Sequence, residues 1–234
     1  MKRIASIAIG VSASVLALGT MAAVAGPIMY GSAAASPAAV EPSVMPTVRE
    51  VSPQVAFDDI SELSGDWAIA DGSEAGYTVD AVVNGSALTV TGTTDHVTGS
   101  ATVDHSVLTS ATIVVEVASI TTDNAVRDAY FRGPALDADD FPTALFTLSS
   151  PITLSDDLIA GKPVVVAASG ELNLHGVSRA VNVSLTASLE NGRLSLAGSV
   201  PVSFDDYGIA PIDLGFARVD DKGSIDFILT VSPR

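Results

Sequence analysis

The stretch VAASGELNLHGVSRAVNVSLT, residues 166–186, decides the fold class. Val166, Ala168, Leu172 and Leu174 fall on one side of an extended chain, with Ser169, Glu171, Asn173 and His175 on the other. Val181, Val183 and Leu185 then alternate with Asn182, Ser184 and Thr186. Successive side chains of a strand point to opposite faces, so a period of two describes strands with one apolar and one wet face. The pattern continues outward in both directions. Upstream, Tyr77, Val79, Ala81 and Val83 oppose Thr78 and Asp80, and Leu88 and Val90 oppose Thr89 and Thr91 after a turn at Asn84-Gly85. Val97, Gly99, Ala101 and Val103 alternate with Thr98, Ser100, Thr102 and Asp104. Downstream, Asn191-Gly192 precedes Leu194, Leu196, Val200, Val202 and Phe204, and Ile225, Phe227, Leu229 and Val231 face one way. Half-buried strands joined by Asn-Gly turns are antiparallel. About eight such segments predict an all-β domain over residues 65–234, either a closed barrel or a sandwich.

One interruption breaks the period. Thr122 to Phe131 opens on a cap residue, has helical character and stops before Gly133-Pro134, which predicts one short helix covering an end of the sheet. Many inward positions are Ala, Gly or Val, including Val97, Gly99, Ala101 and Val103. Small inward side chains in a barrel of this size can leave a cavity in place of a filled core, or can simply allow tight packing.

Composition narrows the function. Acidic side chains number 27 against 11 basic ones, a net of −16. Nucleic-acid affinity rests on Lys and Arg, so that class is excluded, and an anionic membrane surface repels such a domain. Cysteine is absent, so packing and strand pairing hold the fold without disulfides. No H-x-x-x-H, C-x-x-C or G-x-S-x-G occurs, and nothing assembles a nucleophile, a base and oxyanion donors. No catalytic residue, metal or cofactor is therefore expected, and the chain reads as a binding protein, not an enzyme. Asp205-Asp206 and Asp220-Asp221 read as solvated turns, since calcium needs more converging oxygens.

The N-terminus reads as an address. Lys2 and Arg3 precede an uncharged run from Ile4 to Tyr30, the pattern of an export signal. Ala23-Val24-Ala25 and Ala33-Ala34-Ala35 both fit the small-x-small rule for cleavage, which would release a secreted protein. Left uncut, residues 1–31 are long enough to span a bilayer as a signal-anchor, with the C-terminal domain outside the cytoplasm. Residues 32–64 carry Pro37, Pro42, Pro46 and Pro53 among Ala and Ser and read as an extended linker.

Several segments, in order, carry a family resemblance: Trp67 to Val79 (WAIADGSEAGYTV), Val97 to Ser100 (VTGS), Val117 to Asp128 (VASITTDNAVRD), Phe141 to Phe146 (FPTALF), Gly170 to Val177 (GELNLHGV) and Phe204 to Ile209 (FDDYGI). The series resembles the YceI-like family of bacterial proteins across residues 65–233. That resemblance implies a lipocalin-like closed barrel whose apolar interior takes an isoprenoid-tailed lipid, a polyprenyl phosphate or a prenylated quinone. Anchored members show a Gly-Pro-x-x-Tyr element where the hydrophobic segment ends, and Gly26-Pro27-Ile28-Met29-Tyr30 resembles it, which favours the single-pass anchor. Storage, transfer or stress protection are the roles such a protein would serve, and a homodimer would form through a sheet surface. The competing readings are an enzyme acting on such a lipid, with His175 in the pair, and a structural β module with a filled core.

Strand alternation nominates the lining: Tyr77, Val79, Val90, Val115, Val117, Phe146, Leu148, Leu172, Leu174, Val183, Leu185, Phe227 and Leu229. Each of these is equally eligible as ordinary core, since pockets and cores share chemistry. Arg127 and Arg132 flank the predicted helix and could meet a diphosphate or quinone head group. Arg127 could instead pair with Asp123 or Asp128. His175 falls on the polar face beside Glu171 and Asn173, where a strand-end hydrogen bond is the simpler role.

Overall fold

The computed structural model describes residues 57–234 apart from position 211; the expected leader and most of the expected linker lie outside the described residues. Ten strands follow in order: β1 (Gly65–Val83), β2 (Ser86–Thr94), β3 (Val97–Asp104), β4 (Val107–Glu116), β5 (Thr143–Leu148), β6 (Ile152–Thr153), β7 (Val164–Leu174), β8 (Val177–Glu190), β9 (Arg193–Ser203) and β10 (Ala217–Pro233). All pairings are antiparallel. The ring β1-β3-β4-β5-β7-β8-β9-β10 returns to β1, giving a closed eight-stranded barrel with no free edge around it. The expected all-β barrel is the observed fold.

β1 serves two neighbours on one edge. Its first residues, Gly65–Ala68, pair with β3, and beyond a bulge at Ala70/Glu74 the stretch from Ala75 to Val83 pairs with β2. A bulge bends and twists a strand, and here it separates the β1–β2 hairpin from the ring. The two-residue β6 pairs only with β4.

Hairpin turns are written in the sequence. Asn84-Gly85 and Asn191-Gly192 both have positive φ, as does His175-Gly176 between β7 and β8 (φ 51° and 73°). A two-residue turn with both φ values positive matches the strand twist, and His is among the side chains that tolerate the left-handed region. A side chain on Gly176 would also meet the Phe141 ring, 2.5 Å from where its Cβ would stand. His175 is thus a turn residue.

The predicted helix is present but shorter, and it changes character. Helix α1 spans Ala125–Tyr130, and the Asn124 side chain caps it by accepting from the Val126 and Arg127 N–H groups. The chain does not stop before Gly133-Pro134; a π turn covers Phe131–Ala135, with the Leu136 N–H donating to the Phe131 carbonyl. Proline has no N–H to give, and the wider turn carries the bonding past it.

One end of the barrel is plugged. The last eight expected linker residues, 57–64, pack against the barrel there. Ile60–Leu63 forms a 3₁₀ turn, and Leu63 is fully buried beside Trp67, Val97, Val103 and Leu229. The Trp67 indole N–H donates to the Leu63 carbonyl at 2.9 Å, and Phe57 covers the ring at 6.2 Å. The small inward residues of β3 belong to this plug and enclose no space. A Cβ on Gly99 would collide with the Thr112 carbonyl of the paired strand β4 and stand 3.0 Å from Ile69 Cγ1, so the position is small because a neighbouring backbone comes close. Asp220 and Asp221, expected at a turn, lie within β10 beside the irregularity opposite Val79/Ala81, both exposed.

Candidate functional site

Above the plug the barrel is hollow. A cavity of about 470 Å³ runs between the inner faces of β1, β4, β5, β7, β8, β9 and β10, within the size range of small-molecule sites. Ala75, Ile113, Leu196 and Leu229 line its deep part, and Leu229 is also a member of the plug cluster. At the other end the cavity reaches the surface between α1, the β1–β2 hairpin and the connection from β9 to β10, where Val126, Leu214 and Phe216 line it while exposed.

The alternating positions converge on this space. Tyr77, Val79, Val90, Val115, Val117, Phe146, Leu172, Leu174, Val183, Leu185, Phe227 and Leu229 all line it, as does Arg127. Leu148 does not; it sits at the end of β5 opposite Gly170 and packs against the buried cluster around Val117 and Leu172. Arg132, on the same π turn as the lining residues Phe131 and Ala135, is also absent from the lining. Much of the remaining lining comes from outside the ten strands: Ile120, Tyr130, Phe131, Leu136, Ile209, Ile212, Leu214 and Phe216. Two sequence signals were available: the density of apolar residues in these connections, and the alternation of Ile212, Leu214 and Phe216 with Asp213 and Gly215.

Polar groups gather at the open end. Tyr77 stacks on Phe131 with ring centroids 4.5 Å apart. Burial pushes the Tyr77 hydroxyl up to about 12, with Arg127 pulling it down and Asp128 adding a smaller upward push. Arg127 donates to Asp123 at 2.7 Å, the helical pairing weighed above, and lines the cavity at the same time. Asp128 is buried and accepts from the Thr122 N–H and hydroxyl, tying the start of α1 to the chain before it. Because the folded Tyr77 holds its proton above its ordinary value, its contribution to stability is complete below about pH 10 and is lost as pH rises through about 12. A spectrophotometric titration of the phenolates is expected to show a last step near pH 12, absent in Tyr77→Phe.

His175 stands apart from this space. Its Nδ1 donates to the Tyr207 carbonyl at 3.0 Å and its ring meets Phe141 edge-on at 4.8 Å. These contacts join three of the segments singled out in the sequence, Phe141–Phe146, Gly170–Val177 and Phe204–Ile209, at the open end of the barrel. His96 and His105 are exposed and bonded to Glu116 and Asp104 respectively. Among the described residues no helix is long and apolar enough to cross a membrane; the expected span lies outside them.

A closed antiparallel barrel, plugged at one end and hollow with an apolar lining toward the other, has room to enclose an apolar ligand. The chain belongs to the YceI-like domain family, whose model matches residues 67–231. Among solved structures it is similar to a polyisoprenoid binding domain from Saccharophagus degradans implicated in plant cell wall breakdown, at 16% identity and a TM-score of 0.56, covering 72% of this chain and 98% of that one. It is also similar to BcnA of Burkholderia cenocepacia, at 20% identity and a TM-score of 0.51, covering 66% of this chain and 95% of that one. No curated protein matches the sequence.

Proposed function

We propose that the protein holds an isoprenoid-tailed lipid, a polyprenyl phosphate or a prenylated quinone, in its barrel, outside the cytoplasm, for storage, transfer or stress protection. The observation that carries this reading is the hollow itself: a cavity lined almost wholly by aliphatic and aromatic side chains, with Tyr77, Asn124, Arg127 and Tyr130 at one end. A prenyl tail asks for little more than an apolar tube, gaining about 25 cal/mol for each Å² of apolar surface removed from water. The polar fringe suits a head group. The polyisoprenoid-binding description of the Saccharophagus relative supports the same cargo. His175, the residue an enzyme reading needs, is bonded to a backbone carbonyl and is not part of the lining.

The leader completes the reading. Lys2, Arg3 and the uncharged run to Tyr30 hold the protein to the membrane with the barrel on the outer side. Native mass spectrometry of the full chain, extracted gently from membranes, is expected to show one lipid per barrel. Bare polypeptide from membranes, with no uptake of added polyprenol or quinone, overturns the cargo. In the same cells the full chain is expected to stay in the carbonate-washed membrane fraction; a mature N-terminus at Gly26 or Ser36 overturns the anchor and leaves the cargo standing.

A further inference from the structure

We propose that the mouth of the barrel docks on a zwitterionic lipid bilayer through an apolar rim formed by Val126, Leu214 and Phe216. The inference rests on the cargo reading above and adds the surface from which the cargo is exchanged. Val126 is 80% exposed, Phe216 60% and Leu214 45%, yet all three also line the cavity. They come from two separate parts of the chain, α1 and the β9–β10 connection, on either side of the opening. Val82, 42% exposed, lies on the adjoining β1–β2 hairpin, whose tip is held there by the Asn84 N–H donating to the Phe216 carbonyl at 2.7 Å. The other large apolar side chains exposed among the described residues, Val165 and Ile228, are single positions on the outer sheet. Scattered apolar residues need no partner, whereas a ring around a hydrophobic opening does. A tail leaving the cavity across this rim passes from one apolar surface to another and meets no water.

Charge selects the kind of bilayer. Asp123 and Asp213 stand at the rim, each already taken up by an arginine, Arg127 and Arg218. With a net of −16 on the chain, an anionic leaflet repels the mouth, while a phosphatidylcholine-like surface does not. Chain length permits the approach. The described chain begins at Phe57, beside Trp67 at the plugged end, opposite the mouth. Residues 32–56 precede it, and about 25 residues reach on the order of 80 Å when extended. The 11-residue strand β7 measures roughly 36 Å, so an anchored barrel can turn its mouth to its own membrane.

The absence of cysteine makes the test direct. Single variants Phe216→Cys, Val126→Cys and, at the plugged end, Ala160→Cys are labelled with an environment-sensitive fluorophore in the full chain, reconstituted into phosphatidylcholine vesicles carrying a nitroxide lipid. Labels at 216 and 126 are expected to shift to the blue and to be quenched at least threefold more than the label at 160. Equal quenching at both ends overturns the proposal, as does stronger engagement with phosphatidylglycerol vesicles. A blue shift that grows with protein concentration without vesicles also overturns it, by assigning the rim to a second copy of the chain. Lipid content is read from the same preparations by mass spectrometry, so loss of docking with lipid still bound removes the rim alone, and docking without lipid removes the cargo alone.

Discussion

Ala168→Phe is expected to leave the barrel folded and to empty it of lipid. Ala168 lies on β7 opposite Val183 of β8, buried from bulk water, with both side chains on the cavity wall. Adding a ring to a dense core costs about 1–3 kcal/mol. In a domain of this size each kcal/mol is worth roughly 2–4 °C, so a filled barrel would lose somewhere around 2–12 °C. A hollow one accepts the ring with less than about 2 °C of change and gives up the volume a tail would occupy. Bound lipid is expected to fall at least tenfold, about 1.4 kcal/mol in affinity. Melting temperature and lipid content are measured together for both proteins. A large thermal loss with lipid stoichiometry unchanged would sink the hollow-barrel reading.

Trp67→Ala is expected to have the largest effect on stability. The indole is 2% exposed and bridges the 3₁₀ turn, β1 and the floor of the barrel. Truncating a buried aromatic costs about 3–5 kcal/mol, and its hydrogen bond to the Leu63 carbonyl adds about 1 kcal/mol. The melting temperature should drop by roughly 8–24 °C. Ile228→Ala, on an exposed position of β10, is the control and should change it by less than about 2 °C. A loss of only a few degrees at Trp67 would show that the plug contributes little to the fold.

The barrel was legible because its walls alternate. Wherever Val, Leu or Thr recurs at period two, as from Val166 to Thr186, the side facing inward follows from the pleat alone, and the nominated wall residues reach the cavity. Leu148 fails that logic because alternation reports a face and not a height: it points inward at a level where the interior is packed. Gly99 and Ala101 mislead in a similar way, since Gly99 is small where the β4 backbone at Thr112 comes close and Ala101 pairs directly with Trp67 of the plug. The mouth was the least legible part. Ile212, Leu214 and Phe216 do alternate with Asp213 and Gly215, but over a run too short to place, and only the closed ring reveals that this loop lies over an opening. Leu63 was hidden because residues 32–64 read as one proline-rich linker to their end, while its own 3₁₀ turn packs on the barrel.

Closure of the ring by its first and last strands also sets when the hollow can exist. β10 pairs with β1 from Trp67↔Pro233 to Val83↔Ala217, between partners more than a hundred positions apart. Contacts of such sequence separation give a high contact order, and folding dominated by them is slow. During synthesis every wall strand but one can be present while the edges of β1 and β9 remain unpaired, a template for joining other chains. A message truncated before Ala217 therefore yields an open, adhesive sheet instead of a smaller container. Cargo cannot be taken up as the chain emerges, because there is no interior until the final 17 residues of β10 have been delivered.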